Sequence, residues 1–279
     1  MSLKLALSIQ TSEIPQPLPL TLLKGSLDEK IDRAARLGID GVELVTIDPE
    51  GMNRPAIRKK LADAKLRVAA VATGAMASMA GLTLLNADET ISAEAFHRLE
   101  GCLRLAGDLE APVVTVGSFR GRAGAEKENQ IRRFAGLMRR AGDLAEGLGV
   151  RLALEPLNRY EMDFLNTVRE TLEFLRQVDH PAVGVLVDTF HANIEESSRI
   201  EPFHQAWQAG KLFYIHIAEN NRLAPGWGMI DFAQVVAELR RIGYDGYLTA
   251  ELLAQPDAEA AAEQTVSFMR PLLPPTKPE

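Results

Sequence analysis

The sequence predicts an α/β protein built as a single closed (β/α)8 barrel, a TIM barrel. Three observations carry the prediction. Eight short apolar runs alternate with amphipathic stretches from one end of the chain to the other. Their mean spacing is about 35 residues, the length of one strand–helix unit. The chain has 279 residues, slightly more than the ~250 such a barrel takes. A doubly wound open sheet is the rival architecture. It would usually carry a glycine-rich turn after its first strand, and here that turn reads Gln10-Thr11-Ser12-Glu13-Ile14-Pro15.

The expected strands cover residues 3–9, 41–45, 67–72, 112–116, 150–154, 183–187, 212–217 and 247–252. Helical patterns fill the intervals, and two announce their starts. Ser26-Leu27-Asp28-Glu29 is a capping box ahead of Ile31, Ala34, Ala35 and Leu37, and Thr167-Val168-Arg169-Glu170 repeats the device ahead of Leu172, Phe174 and Leu175. Gly38, Gly149 and Gly243 mark returns from helix to strand, where a left-handed residue ends a helix. Leu37-Gly38-Ile39-Asp40-Gly41-Val42 recurs as Ile242-Gly243-Tyr244-Asp245-Gly246-Tyr247, one helix-to-strand turn used twice. The interior holds no linker-like stretch. The barrel domain is expected over 1–270, with a proline-rich tail over 271–279.

Composition narrows the function. With 46% hydrophobic and 25% charged residues, disordered, collagenous and disulfide-scaffold classes fall away. A net charge of −7 offers no basic footprint for a nucleic-acid partner. No apolar run reaches the ~18 residues of a membrane span. The first seven residues alternate instead of forming a basic-then-apolar leader, so a soluble cytoplasmic protein is expected. The lone Cys102 lies in the helical pattern of residues 96–105 and reads as a buried small hydrophobe in a reducing compartment.

A parallel barrel places its active site at the C-terminal ends of its strands. Strand five ends Leu152-Ala153-Leu154-Glu155 and strand six Val185-Leu186-Val187-Asp188. Strand seven carries Tyr214-Ile215-His216-Ile217, and strand eight Leu248-Thr249-Ala250-Glu251. Glu155, Asp188, His216 and Glu251 share inward parity with Ala153, Leu186, Tyr214 and Thr249. The opposite parity (Leu152, Leu154, Val185, Val187, Phe213, Ile215, Leu248 and Ala250) suits packing against outer helices. Three converging carboxylates would repel one another unless a cation neutralised them. Three oxygens and one imidazole suit one divalent metal ion, Mn²⁺ foremost, with Mg²⁺ or Co²⁺ as alternatives.

Further polar residues follow these strands: Glu161 six residues beyond Glu155, His191 three beyond Asp188, and Arg222 six beyond His216. These spacings resemble the xylose isomerase-like barrels, in particular the sugar isomerase/epimerase branch that contains D-tagatose 3-epimerase and hydroxypyruvate isomerase. The resemblance covers nearly the whole chain. It implies that Glu155, Asp188, His216 and Glu251 bind the metal and that Glu155 and Glu251 double as the acid/base pair. It also implies that Glu161, His191 and Arg222 contact substrate oxygens. The chemistry is coherent on its own terms. One carboxylate removes the proton α to a ketose carbonyl, giving a cis-enediolate stabilised by the ion, and the second returns a proton to the opposite face.

The expected function is a ketose 3-epimerase. Alternatives are a hydroxypyruvate or sugar-phosphate aldose–ketose isomerase, an inosose dehydratase-like lyase, and a non-catalytic carbohydrate-binding barrel. Endonuclease IV shares the barrel but needs many histidines, and this chain has five. His97 falls mid-helix, His180 precedes Pro181, and His204 follows Pro202 in a helix-like stretch. Three further segments carry paired expectations. Arg120 and Arg122 after strand four either grip an anionic substrate group or stand solvated beside Glu126-Lys127-Glu128. The stretch from Thr73 to Ala80 reads as a flexible loop that either walls the substrate or simply packs. Arg132, Arg133, Arg139 and Arg140 read as a solvated helix face. The outer helices of such barrels commonly pair, so a homodimer or homotetramer is expected.

Overall fold

Runs such as Lys4-Leu-Ala-Leu-Ser-Ile-Gln10 and Val183-Gly-Val-Leu-Val-Asp188 are buried along almost their whole length, as parallel strands covered on both faces must be. The computed structural model describes residues 3–273. It closes eight such strands, β1 (Lys4–Gln10), β2 (Gly41–Val45), β3 (Arg67–Ala72), β4 (Val113–Val116), β5 (Arg151–Leu154), β6 (Val183–Asp188), β7 (Leu212–Ile217) and β8 (Tyr247–Ala250), into an all-parallel barrel in sequence order. Pairing of β1 with β8, with Leu5 beside Leu248 and Leu7 beside Ala250, completes the ring.

The helices outside the ring are α1 (Leu27–Arg36), α2 (Arg54–Asp63), α3 (Gly74–Ala80), α4 (Glu89–Asp108), α5 (Lys127–Gly147), α6 (Val168–Val178), α7 (Thr189–Glu195), α8 (Glu201–Gln208), α9 (Phe232–Ile242) and α10 (Ala258–Met269). The capping box of α1 forms in full: Ser26 Oγ accepts from Glu29 N, and the Glu29 carboxylate accepts from Ser26 N. Thr167 caps α6 through Glu170 N. Cys102 is fully buried within α4, and burial pushes its thiol pKa up, away from nucleophilic use. No helix among the described residues is long and apolar enough to cross a membrane.

Strand parity divides the core in two. Leu152, Leu154, Val185, Val187, Ile215, Ile217, Leu248 and Ala250 pack with the helices in the large outer core. Ala6, Ala70, Ala153, Leu186 and Tyr214 fill the barrel interior. Phe213 departs from its expected outward place. Leu212 pairs with Val185 and Tyr214 with Leu186, so Phe213 is the extra residue of a β-bulge, and its ring joins the inner cluster. Gly184 makes room for it. A Cβ there would overlap the Phe213 ring and lie 2.6 Å from the Lys211 carbonyl oxygen.

Two further expectations change. The stretch after β3 is the seven-residue helix α3, not a flexible loop, and Gly81 ends it at φ 65°. The arginines of α5 are less free than a solvated face implies. Arg139 donates to the Val178 and Gln177 carbonyls, Arg133 to Ser92 Oγ, and the Arg140 guanidinium lies 4.4 Å from the Phe96 ring centre. At the C-terminus, Arg270–Leu272 form a 3-10 turn and Leu273 is buried. The remainder of the expected tail, 274–279, lies outside the described residues.

Candidate active site

Each of the four strand-end residues faces the barrel mouth because its strand alternates inward and outward and ends there. Glu155 follows β5, Asp188 closes β6, His216 sits one residue before the end of β7, and Glu251 follows β8. The structure brings them together: one ligand atom from each lies within 4.8 Å of all the others. Glu155, Asp188 and His216 are buried and Glu251 is half-buried. His216 Nδ1 lies 3.4 Å from Glu155 Oε1 and 3.7 Å from Glu251 Oε2.

Three atoms of this cluster, Glu155 Oε1, Asp188 Oδ2 and His216 Nδ1, are buried without a hydrogen-bond partner. Buried polar atoms are almost always partnered. Three unpartnered atoms converging on one point therefore fit a cation. Electrostatics agree. Burial pushes Glu251 up to about 8 and also raises Asp188. Burial would raise Glu155 as well, but the adjacent His216 3.4 Å away, with the charges of His191 and Arg222, outweighs it and holds Glu155 at about 2. His216 is pulled down by burial and more than restored by Glu43, Glu251 and Glu155, so it stands well above its ordinary value. Without a cation, the cluster balances its charge by retaining protons. Oxygen-rich ligation with one imidazole suits a hard or borderline divalent ion.

Glu161, His191 and Arg222 form a connected arm beside the cluster. Arg222 Nη1 and Asn158 Nδ2 both donate to Glu161 Oε1 at 3.0 Å. Asn158 also donates to His191 Nδ1, from its amide at 2.8 Å and its backbone N–H at 3.3 Å. With Nδ1 occupied as an acceptor, the neutral ring carries its hydrogen on Nε2, which is buried and unpartnered. The Arg222 guanidinium lies 4.7 Å from the Phe190 ring centre and 3.6 Å from Glu251 Oε2. Arg222 adopts φ 63°, in a loop fixed by Glu219, whose buried carboxylate accepts from Gly226 N and Ile230 N.

A cavity of about 270 Å³ opens next to the cluster. Glu155, Glu161, Arg222, Glu251, Ser8 and Thr115 give it a polar side, and Pro17, Leu18, Leu20, Ala75 and Met79 an apolar one. The β1–α1 segment in this wall is tied down by Gln10. Its amide nitrogen donates to the Ile14 and Gln16 carbonyls, and its oxygen accepts from Leu18 N and Thr21 Oγ1. Helix α3 supplies the facing wall, so this segment does line the cavity, as an ordered element.

Arg120 and Arg122 differ: Arg122 is exposed, whereas Arg120 is committed to the protein's own backbone. Arg120 is 1% exposed, and its guanidinium donates to the carbonyls of Gly117, Glu155, Phe164 and Leu165. Neither expectation held for it: it is a buried clamp that ties the β4 and β5 loops together. Burial pulls its pKa to about 10, so it stays charged at neutral pH. Arg122 donates to the Glu161 carbonyl at 2.6 Å. Arg120→Met is expected to leave these carbonyls short of donors and to cost about 4 kcal/mol of folding stability. Urea denaturation measures it, and a loss below ~1 kcal/mol would count against the clamp.

Sequence reasoning passed over Glu43, Asn158 and Glu219. Glu43 on β2 is fully buried, with Oε2 3.0 Å from His216 Nε2. Its signal was an acid inside the otherwise apolar run Gly41-Val-Glu-Leu-Val45. Of the remaining histidines, His97 sits by Glu50, His180 by Asp143 and His204 by Glu238, and none joins the cluster.

Residues 31–272 match the family model described as xylose isomerase-like TIM barrel. The chain is 31% identical to an L-ribulose 3-epimerase of Methylomonas sp. (strain DH-1) over 245 residues, covering 86% of this chain and 82% of that protein. It is 42% identical to a ketose 3-epimerase of Arthrobacter globiformis over 112 residues; that match covers 40% of this chain and 38% of the relative, less than half its length. A solved structure of L-ribulose 3-epimerase superposes with a TM-score of 0.81 at 25% identity, covering 97% of this chain and 94% of the other. Barrel, strand-end cluster and relatives agree: the chain belongs to the xylose isomerase-like TIM-barrel family.

Proposed function

We propose that the protein is a divalent-metal-dependent ketose 3-epimerase, with Glu155 and Glu251 as its acid/base pair. One observation carries the assignment to residues. Glu155 and Glu251 come from β5 and β8, three strands apart in a ring of eight, and so approach the cluster and its cavity from different sides. Two carboxylates on two sides are what inversion at a carbon needs, and a binding module has no use for such a couple. Relatives named as 3-epimerases of ketoses over most of the chain support the substrate class.

Glu155, Asp188, His216 and Glu251 would hold the ion, Mn²⁺ foremost with Mg²⁺ or Co²⁺ as alternatives. When bound, it would supply Lewis acidity to the oxygens of the developing enediolate. The protein's own groups do the rest. One carboxylate removes the C3 proton, α to the C2 carbonyl, leaving a cis-enediolate. The other delivers a proton to the opposite face and yields the 3-epimer. His191 donates from Nε2, and Arg222 with Glu161 orients sugar hydroxyls beside Glu251. Among the described residues, Arg222 is the only basic one lining the cavity, and its guanidinium already faces Glu161 and Glu251. A neutral ketose therefore suits the cavity better than a sugar phosphate. A cytoplasmic setting suits the buried, unpaired thiol of Cys102.

NMR of the metal-loaded protein with ketohexoses, ketopentoses and hydroxypyruvate in D₂O tests this reading. Deuterium entering at C3, with the epimer appearing, is the expected result. Exchange confined to C1 or hydroxymethyl protons would replace epimerisation by isomerisation. Metal affinity offers a second prediction. The metal-free protein retains protons on Glu251, up to about pH 8, and on His216. Ligation must expel them, so Mn²⁺ affinity should rise with pH from about 6 to 8, with proton release. Calorimetry in two buffers of different ionisation enthalpy reads this directly. A pH-independent affinity without proton release would contradict the assigned ligands.

A further inference from the structure

We propose that Glu43 is a positioning residue for the metal centre: it holds His216 with its hydrogen on Nε2, so that the Nδ1 lone pair faces the ion. This rests on the reading of the four-residue cluster as a metal site.

Glu43 reaches His216 across the barrel interior, since β2 and β7 stand three strands apart around the ring. The contact is 3.0 Å between Glu43 Oε2 and His216 Nε2, and both residues are buried. On the other edge of the ring, Nδ1 faces Glu155 and Glu251 and makes no hydrogen bond. A neutral imidazole carries one hydrogen. Placing it on Nδ1 would set the Nε2 lone pair against a carboxylate oxygen at 3.0 Å and cover the only nitrogen that faces the cluster. Placing it on Nε2 satisfies both edges. The ring plane is braced as well. Tyr214 packs edge-on with centroids 5.5 Å apart, and its hydroxyl is held by Thr249 Oγ1 at 2.5 Å.

Glu43 is only half satisfied within the fold. Its second oxygen, Oε1, is buried without a partner, and so is Ser8 Oγ on the β1 residue in register with it. A half-satisfied carboxylate in the barrel interior costs stability. It is also absent from the cavity lining, so it does not reach the sugar. What remains is its single strong contact with the one histidine of the cluster. Carboxylates of this kind fix the ring and raise its basicity as a ligand.

The test compares the full-length wild type with E43L and E43Q. Mn²⁺ affinity is read from the EPR signal of free ion, and folding from melting of the metal-free proteins. The His216 ring tautomer is read by ¹⁵N NMR of the Mg²⁺-loaded wild type. E43L should weaken Mn²⁺ binding roughly 10- to 100-fold while the metal-free protein still melts cooperatively as a folded barrel. E43Q, whose amide oxygen still accepts from Nε2–H, should recover most of the affinity. The wild-type spectrum should show hydrogen on Nε2. Wild-type affinity in E43L, equal losses in E43L and E43Q, or hydrogen on Nδ1 would each overturn the inference and leave the metal centre standing. Failure of the wild type to bind Mn²⁺, Mg²⁺ or Co²⁺ would overturn both.

Discussion

Glu251→Gln is expected to lower kcat for epimerisation by roughly 10²- to 10⁴-fold, the usual worth of a positioned acid/base group, while exchange at C3 survives for one of the two epimers. The reasoning is geometric. If Glu155 and Glu251 serve opposite faces, each epimer presents its C3 hydrogen to one of them. Loss of Glu251 then leaves Glu155 able to remove and return the proton on its own side. In D₂O that epimer gains deuterium at C3 without inverting, whereas the other neither exchanges nor converts. Glu155→Gln should show the mirror pattern. Glutamine keeps a carbonyl oxygen that can still face the ion, and Mn²⁺ affinity measured on the same variants separates lost ligation from lost proton transfer. Inversion at the wild-type rate in E251Q would remove Glu251 from the chemistry. Exchange of both epimers in both variants would point to a single base. Bound sugar without turnover in the wild type itself would favour the non-catalytic barrel.

The fold and the cluster were legible in the sequence because both rest on local periodicity. Strands β2, β3 and β7 lie where their apolar runs place them. Strand parity, with the rule that barrel chemistry gathers at strand C-termini, was enough to converge Glu155, Asp188, His216 and Glu251. What escaped depends on partners far away in the chain. Phe213 turns inward only because the register against β6 slips by one residue, which no pattern within β7 records. Glu43 gains its meaning from a histidine 173 positions later. Arg120 reads as a loop cation until the carbonyls of Phe164 and Leu165 arrive beside it. The run Gly74-Ala-Met-Ala-Ser-Met-Ala80 carries no charge to mark a face, so its helix is invisible to periodicity although its composition permits one.

Chelation should abolish turnover without unfolding the barrel, and returning the ion should restore activity together with a large rise in melting temperature. The strand ladder closes through its own hydrogen bonds, and the outer core packs without help from the mouth. Far-ultraviolet circular dichroism should therefore be unchanged by chelator. The mouth is another matter. It gathers three carboxylates and an imidazole within 4.8 Å, with three of their atoms unpartnered. An ion bound only by the folded state adds stability by mass action, about 2.7 kcal/mol at a hundred times Kd and about 4.1 kcal/mol at a thousand times. For a chain of this size that is about 5–15 °C in Tm. Replacing Asp188 by alanine should erase most of the shift, because Asp188 is assigned to hold the ion and not to move the proton. A chelated protein that still turns over ketose, or a Tm indifferent to Mn²⁺, Mg²⁺ and Co²⁺ alike, would mean that the cluster balances its charge with protons alone.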